Sequence, residues 1–186
     1  MLQNSTSQLI QEIHEQKDLV YAEDGRFSVS PVTTSYNAIL EELKNLYSDH
    51  SLSKEKILNF EFLENDIEIS TDRVLLVRSI SNMIKNALEA SSRGQTVIVS
   101  CTFDDETVTI NVKNEGVIPE DIQLQIFQRS FSTKADSGRG IGTYSIKLFV
   151  EKYLQGKVFF ISDEENQTLF SIEIPKSIKV DECVKS

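Results

Sequence analysis

The clearest pattern of apolar and polar positions lies between residues 72 and 90 and predicts an amphipathic helix. Apolar residues recur there at helical spacing, and the stripe that they form comprises Ile80, Met83, Ile84, Ala87 and Leu88. Asn82 and Asn86 are four residues apart, so they share the opposite face of the helix. Thr71 stands just before this helix and is the expected N-cap.

The rest of the chain alternates between strand-like and helix-like periodicity, which predicts a mixed α/β domain. Strands are expected at residues 27–30, 57–62, 67–69, 96–103, 107–112, 157–162 and 168–174. Further helices are expected from Thr33 or Thr34 to Ser48, from Pro119 to Gln128, and from Thr143 to Leu154. In the first of these, the residues expected to face inward are Ile39, Leu40, Leu43 and Leu46.

A separate apolar stripe precedes this domain. Its members are spaced by seven, four and seven residues, as in a coiled coil, and they are Leu2, Leu9, Ile13 and Val20. Asp24-Gly25 ends the pattern. We therefore divide the chain into a helical segment at 1–24, a main domain at 25–175 and a flexible tail at 176–186.

Composition narrows the class of protein. Apolar residues make up 39% of the chain and the net charge is −10, which fits a globular domain and argues against nucleic-acid binding. Cys101 and Cys183 are far apart and indicate neither a disulfide framework nor a zinc site; Cys101 is expected to be a buried thiol. No apolar run is long enough to span a membrane, so the domain is predicted to be cytoplasmic. A membrane anchor elsewhere in the full-length protein is compatible with that prediction.

Glycines cluster just before the helix expected at Thr143. Gly138, Gly140 and Gly142 are three of the chain's seven glycines, and they allow a ligand to approach the backbone closely. The start of the following helix favours an anion, and nearby cations are Lys134, Arg139 and Lys147. This pattern alone is equally typical of a flexible loop, and it matches neither the Rossmann nor the P-loop motif.

The order of four short motifs is more specific than any one of them. They are Asn82 to Ala87, Asn114-Glu-Gly-Val-Ile-Pro119, Ile126-Phe-Gln-Arg-Ser-Phe-Ser-Thr-Lys134 and Gly138-Arg-Gly-Ile-Gly142. Their succession resembles the N, G1, F and G2 boxes of sensor histidine kinases, in the wider group that includes DNA gyrase and MutL. The resemblance covers residues 57 to 175. It implies a two-layer α/β sandwich of the GHKL (Bergerat) type, with ATP between helices beneath a mobile lid.

The resemblance also implies a role for each matching residue. Asn86 matches the residue that coordinates Mg²⁺ on the ATP phosphates, and with Asn82 it forms the expected catalytic pair. Asn82 matches a catalytic Glu of ATP-hydrolysing relatives, but an amide is no base near neutral pH. This favours phosphoryl transfer over hydrolysis. Phe127 and Phe131 match lid-packing or core positions. The implied nucleotide-binding residues are Lys85, Asn86, Asn114, Gly116, Lys134, Gly138, Arg139, Gly140, Ile141, Gly142 and Thr143.

The G1 box departs from the family pattern. Asn114 occupies the usual Asp position, Gly116 matches the first glycine, and the second glycine is missing. The Asn114 oxygen can accept a hydrogen bond from the adenine amine, but without the strength that a charge adds. We therefore expect weak ATP binding and softened adenine selectivity. The alternative is a degenerate domain that binds nucleotide weakly or not at all and acts as a scaffold or regulator.

The function that the resemblance implies is that of the catalytic domain of a bacterial two-component sensor histidine kinase. Its partners would be Mg²⁺·ATP, its own dimerisation domain and a response regulator, in a homodimeric full-length protein. Residues 1–24 look like the second helix of the dimerisation hairpin, so the acceptor His is expected outside this chain and His14 is interpreted as a surface residue. Rival interpretations are a gyrase-type conformational ATPase, which Asn82 disfavours, and a serine kinase of the anti-sigma type.

Overall fold

The computed structural model describes residues 17, 19–129 and 142–179. The strands are β1 (Val32–Ser35), β2 (Ile57–Phe60), β3 (Glu68–Thr71), β4 (Thr96–Phe103), β5 (Thr107–Asn114), β6 (Lys157–Asp163) and β7 (Gln167–Pro175). The helices are α1 (Tyr36–Tyr47), α2 (Arg73–Ala90), α3 (Glu120–Gln123) and α4 (Gly142–Leu148). A 3₁₀ turn spans Ser51–Ser53, and a π turn at Phe149–Tyr153 continues α4.

Five of the strands form one sheet in the order β2-β4-β5-β7-β6. β2 runs parallel to β4, and the other neighbouring pairs are antiparallel. The two expected hairpins, β4–β5 and β6–β7, both form. β1 and β3 make a separate antiparallel ribbon. β5 lies at the centre of the sheet, so its C-terminal end at Asn114 has a strand on either side.

Helices cover one face of this sheet and enclose the core with it. In β5, Val108, Ile110 and Val112 are at most 1% exposed, and they alternate with half-buried polar residues, as a sheet covered on one face requires. The expected apolar stripe of α2 faces them, and Ile80 and Leu88 are fully buried. The prediction of a mixed α/β fold is therefore confirmed.

The residues that lead into this domain pack against it. Residues 19–23 are helical, and Leu19 and Ala22 are buried while Val20 is 45% exposed. The other members of the expected coiled-coil stripe (Leu2, Leu9 and Ile13) lie outside the described residues. The assignment of residues 1–24 to a dimerisation hairpin stays a prediction.

The expected strand at 27–30 and the expected caps of α1 and α2 were wrong. The Ser30 amide donates to Asp72 Oδ2 (2.9 Å) and joins no ladder, so the first strand begins later, at Val32. The cap of α1 is Ser35, whose hydroxyl accepts from the Ala38 amide, because the threonines before it pair in β1. The cap of α2 is Asp72, not Thr71, which pairs in β3.

The inward-facing residues of α1 also differ at one position. Leu46 is 53% exposed, and Tyr47 is buried in its place. The Tyr47 hydroxyl donates to the Ser81 carbonyl on α2 over 2.9 Å, so the last turn of α1 is oriented by this polar contact. The expected positions Ile39, Leu40 and Leu43 are confirmed as buried.

Candidate functional site

The partly buried Asn86 side chain of α2 lies against the first residue of α4. A Cβ built on Gly142 would lie 3.6 Å from Asn86 Oδ1 and 3.8 Å from its Nδ2. A side chain added at Gly142 would thus be in van der Waals range of the amide, so the start of α4 lies beside Asn86. The structure places these two predicted site residues, which are far apart in the sequence, on facing helices.

Asn82, one turn earlier on α2, is bonded to the same helix. Its Nδ2 donates to Ser145 Oγ over 3.1 Å, and that hydroxyl in turn donates to the Gly142 carbonyl over 2.8 Å. Because a serine hydroxyl has one hydrogen, Ser145 can only accept from Asn82 in this arrangement. Ser145 is buried, and sequence analysis missed it. Its signal was a small polar residue three positions after Gly142 in an apolar-periodic helix.

The predicted site residues Asn114 and Gly116 lie where β5 ends. Asn114 is 4% exposed and lies between Val97 of β4 and Thr168 of β7 in the sheet register. Gly116 follows with φ at +146°, a backbone conformation that residues other than glycine rarely adopt. A Cβ on Gly116 would lie 3.6 Å from Asn114 Nδ2, so the loop passes directly over the asparagine amide.

The buried hydroxyls of Thr168 and Ser162 form hydrogen bonds with the loop that follows Asn114. Thr168 Oγ1 donates to the Gly116 carbonyl (2.9 Å), Ser162 Oγ lies 2.8 Å from Thr168 Oγ1, and the Ile118 amide donates to Ser162 Oγ (2.7 Å). Since the single hydrogen of Thr168 is used on Gly116, Ser162 must donate to Thr168. Sequence analysis missed both hydroxyls. Their signal was polar side chains at core-facing positions of β6 and β7, beside the turn.

The segment after this loop joins the two ends of the site. Gln123 Nε2 donates to the Ile118 carbonyl (2.7 Å) and to the Ser162 carbonyl (3.0 Å), which fixes α3 above the loop. The Thr143 hydroxyl donates to the Ile126 carbonyl at the start of α4. Phe127 packs edge-on against Phe160 and Phe170, so its packing in the core is confirmed.

The remaining predicted site residues have separate outcomes. Lys85 is exposed on α2, beside Asn86 in the sequence. The predicted residues that lie outside the described part of the chain are Phe131, Lys134, Gly138, Arg139, Gly140 and Ile141. Among the described residues, no group of three or more His, Cys, Asp or Glu side chains could hold a metal ion. A neutral amide oxygen fits Mg²⁺, which keeps several waters and takes other ligands from substrate phosphates.

Two further predictions concern residues away from the site. Cys101 is only half-buried, whereas a buried thiol was expected, and burial raises the pKa of that thiol. Burial also raises the pKa of the neighbouring Tyr36 hydroxyl, which donates to the Glu61 carbonyl. In the described part of the chain, no helix combines the length and apolar character that crossing a membrane needs.

Comparison with known proteins gives relatives for most of the chain. It is 35% identical over 121 residues to a probable C4-dicarboxylate sensor kinase of Halalkalibacterium halodurans, a match that covers 62% of the chain and 22% of the relative. It is 33% identical over 150 residues to sporulation kinase A of Bacillus subtilis, covering 75% and 24%. The chain thus spans about a quarter of the length of these relatives.

Solved structures share the fold. The nucleotide-free catalytic domain of the histidine kinase ThkA superposes with a TM-score of 0.71 at 25% identity, over 80% of the chain and 97% of that domain. A structure of ThkA in complex with the response regulator protein TrrA superposes with a TM-score of 0.72 at 22% identity, over 92% of the chain and 49% of that kinase. The mixed α/β architecture is that of histidine kinase catalytic domains.

A family profile matches residues 71–178, which is more than half of the 186 residues and includes α2, β5 and α4. The profile is described as histidine kinase-, DNA gyrase B- and HSP90-like ATPase. Its range begins one residue before the cap of α2 and ends just after β7, so it contains every described residue of the candidate site. The chain belongs to the histidine kinase-, DNA gyrase B- and HSP90-like ATPase family.

Proposed function

We propose that this domain binds Mg²⁺·ATP and donates the γ-phosphate to a histidine on the dimerisation domain of a sensor histidine kinase. The observation that carries the proposal is the position of Asn86 beside Gly142, which brings a neutral oxygen ligand to the start of α4. Family membership supports ATP as the nucleotide. The histidine kinase ThkA, whose catalytic domain shares the fold, supports histidine as the acceptor.

The proposed roles follow from the chemistry of each group. Asn86 Oδ1 would hold Mg²⁺, whose charge would offset that of the phosphates. Lys85 would approach the phosphates from the exposed side of α2. Asn114 and Gly116 would receive the base. Thr143 and residues 134 and 138–142 would close over the phosphates.

The state of Asn82 favours transfer to a protein group over transfer to water. Its side chain cannot take a proton near neutral pH, and its Nδ2 is already bonded to Ser145. Among the described residues named for the site, Asn82, Asn86 and Asn114 are amides and Lys85 is a cation, so none of them is a carboxylate base. A histidine acceptor needs less help than water, since a neutral imidazole nitrogen can attack without a base to remove a proton, whereas attacking water must lose one.

The proposal includes partners and location. The complex of ThkA with TrrA supports a response regulator as the downstream partner. Residues 1–24 would be the end of the second dimerisation helix, and the full-length protein would be a homodimer. The domain would work in the cytoplasm, with any membrane anchor elsewhere in the full-length protein.

The test is transfer of radiolabelled γ-phosphate in the full-length kinase, with Asn86→Ala and Asn86→Asp as variants. Both should abolish Mg²⁺-dependent labelling of the acceptor and leave the circular dichroism spectrum unchanged. Asn45→Ala, which changes an exposed asparagine on α1, should keep wild-type labelling. Normal labelling in Asn86→Ala would remove Asn86 from the mechanism.

A second candidate is a domain that binds nucleotide weakly or not at all and serves as a scaffold or regulator. Asn114 favours it, because the neutral amide lacks the charge that strengthens the bond to the adenine amine. Titration of the folded chain with a fluorescent ATP analogue and Mg²⁺ separates the two. No binding at millimolar nucleotide supports the scaffold, whereas saturable binding together with labelling of the acceptor supports the kinase.

A further inference from the structure

The helical turn at residues 19–23 is held on the π turn that continues α4. The Ala22 carbonyl accepts from the Tyr153 hydroxyl (2.6 Å) and from Lys152 Nζ (2.8 Å). Ala22 is fully buried, and the Phe27 ring packs edge-on against Tyr153 with a centroid separation of 5.6 Å. The end of the N-terminal helix therefore has a defined position relative to α4.

Glu23 extends from this docked turn to two residues that are distant from each other in the sequence. Its Oε2 lies 2.9 Å from an Arg129 guanidinium nitrogen, and its carboxylate lies beside the Tyr144 hydroxyl. The Glu23 side chain is 21% exposed, compared with 59% for Arg129. Burial, and next the Glu23 carboxylate, raise the pKa of Tyr144. One acidic side chain thus ties the N-terminal turn to α4 and to the segment that follows α3.

The turn of α4 that Glu23 contacts is also the turn that faces α2. Tyr144 lies between Gly142, which is packed on Asn86, and Ser145, which accepts from Asn82. A displacement of Tyr144 would move both contacts together, because one helical turn is a rigid unit on this scale. The path from Glu23 to the two asparagines passes through a single turn of helix.

We propose that Glu23 is a positioning residue: its contacts with Arg129 and Tyr144 set the first turn of α4 against Asn82 and Asn86. Nucleotide binding thereby depends on the docking of the N-terminal helix. This inference rests on the proposed function, since it requires that the two asparagines belong to a nucleotide site. It extends that function by naming a residue outside the predicted site.

The test is the dissociation constant for Mg²⁺ and a non-hydrolysable ATP analogue, measured by calorimetry on the full 186-residue chain. Glu23→Ala should weaken binding by roughly threefold to tenfold, the range of coupling between contacting residues. Glu23→Gln should fall between Glu23→Ala and wild type, because a side chain of the same size still packs beside Tyr144 while the charge facing Arg129 is lost. Glu106→Ala, an exposed carboxylate at the opposite end of β5 from Asn114, should bind as wild type does.

A double substitution isolates the two contacts. Arg129→Ala with Tyr144→Phe should reproduce the loss in Glu23→Ala, and adding Glu23→Ala to that pair should weaken binding no further. A further loss would place the effect of Glu23 elsewhere and overturn the inference. Thermal unfolding of each variant shows that the fold is kept. If Glu23→Ala alone fails to fold, Glu23→Gln and Tyr144→Phe carry the same comparison.

The outcomes separate the inference from the proposed function. Wild-type affinity in Glu23→Ala, with nucleotide bound by the wild-type chain, overturns the positioning role and leaves the kinase proposal in place. No binding by the wild-type chain overturns the kinase proposal itself, and the inference with it. Graded loss in the order Glu23→Gln, then Glu23→Ala, with an unaffected Glu106→Ala, supports both.

Discussion

The Asn82 amide donates to the Ser145 hydroxyl over 3.1 Å and so connects the middle of α2 to the first turn of α4. In the family resemblance this position belongs to a catalytic Glu of ATP-hydrolysing relatives. Here the side chain contributes a hydrogen bond between two helices. The direction of that bond is fixed, because Ser145 gives its own hydrogen to Gly142.

The first prediction concerns Asn82→Asp. A carboxylate cannot donate to Ser145, so the hydroxyl must turn away from the Gly142 carbonyl to bond it, and one hydrogen bond is lost. The expected cost is about 0.5–1.5 kcal/mol in the free energy of unfolding, measured by urea denaturation. A variant as stable as wild type would show that the contact with Ser145 contributes nothing.

The second prediction concerns base selectivity at Asn114. Its amide can accept from the adenine amine or donate to a guanine carbonyl, whereas Asp can only accept. Wild-type affinities for Mg²⁺·ATP and Mg²⁺·GTP should therefore differ by less than about tenfold. Asn114→Asp should raise the preference for ATP by about fivefold, since a charge adds roughly 1 kcal/mol to such a bond. A wild-type domain that rejects GTP outright would contradict this.

The third prediction concerns Thr168→Val. Valine matches threonine in shape but removes the donor to the Gly116 carbonyl and the acceptor of the Ser162 hydrogen, so Ser162 keeps only the bond from the Ile118 amide. The unfolding free energy should fall by about 1–3 kcal/mol, the cost of unsatisfied buried polar groups. Thr109→Val, on the face of β5 away from the helices, should change stability by less than about 0.5 kcal/mol. An equal loss of unfolding free energy in Thr168→Val and Thr109→Val would show that the hydrogen bonds of Thr168 do not stabilise the fold.

The fourth prediction concerns Gly156, between the π turn and β6. A Cβ there would lie 2.2 Å from the Glu173 carbonyl oxygen, and backbone cannot move aside cheaply. Gly156→Ala should cost at least about 3 kcal/mol in unfolding free energy. Gly94→Ala is the comparison: φ is +81° but the space around it is open, so about 1 kcal/mol of strain is expected. The reverse order of the two costs would count against this packing.

Features set by local periodicity could be predicted from the sequence. The buried stripe of α2, the shared polar face of Asn82 and Asn86, and the two hairpins depend only on neighbours along the chain. Asn114 was found differently, through the resemblance of residues 114–119 to the G1 box.

Contacts that depend on register between distant segments could not be predicted. Ser145, Ser162 and Thr168 act only because α4 and the β6–β7 hairpin place their hydroxyls beside Asn82 and Gly116. The capping errors had a different cause. Threonine is favourable both in a strand and as a helix cap. The three expected caps (Thr33, Thr34 and Thr71) are instead paired between β1 and β3, a contact between distant segments.

The π turn at Phe149–Tyr153 carries one more residue per turn than an α-helix would. It sets the rotation about the helix axis between two contacts. Ser145 bonds to α2 near the start of the helix, and Tyr153 bonds to Ala22 at its end. Removing a single residue from it would rotate one end against the other by about 100°. The contacts of Ser145 with α2 and of Tyr153 with Ala22 could then no longer form at the same time. The number of residues in this turn is therefore constrained, independently of which side chains it carries.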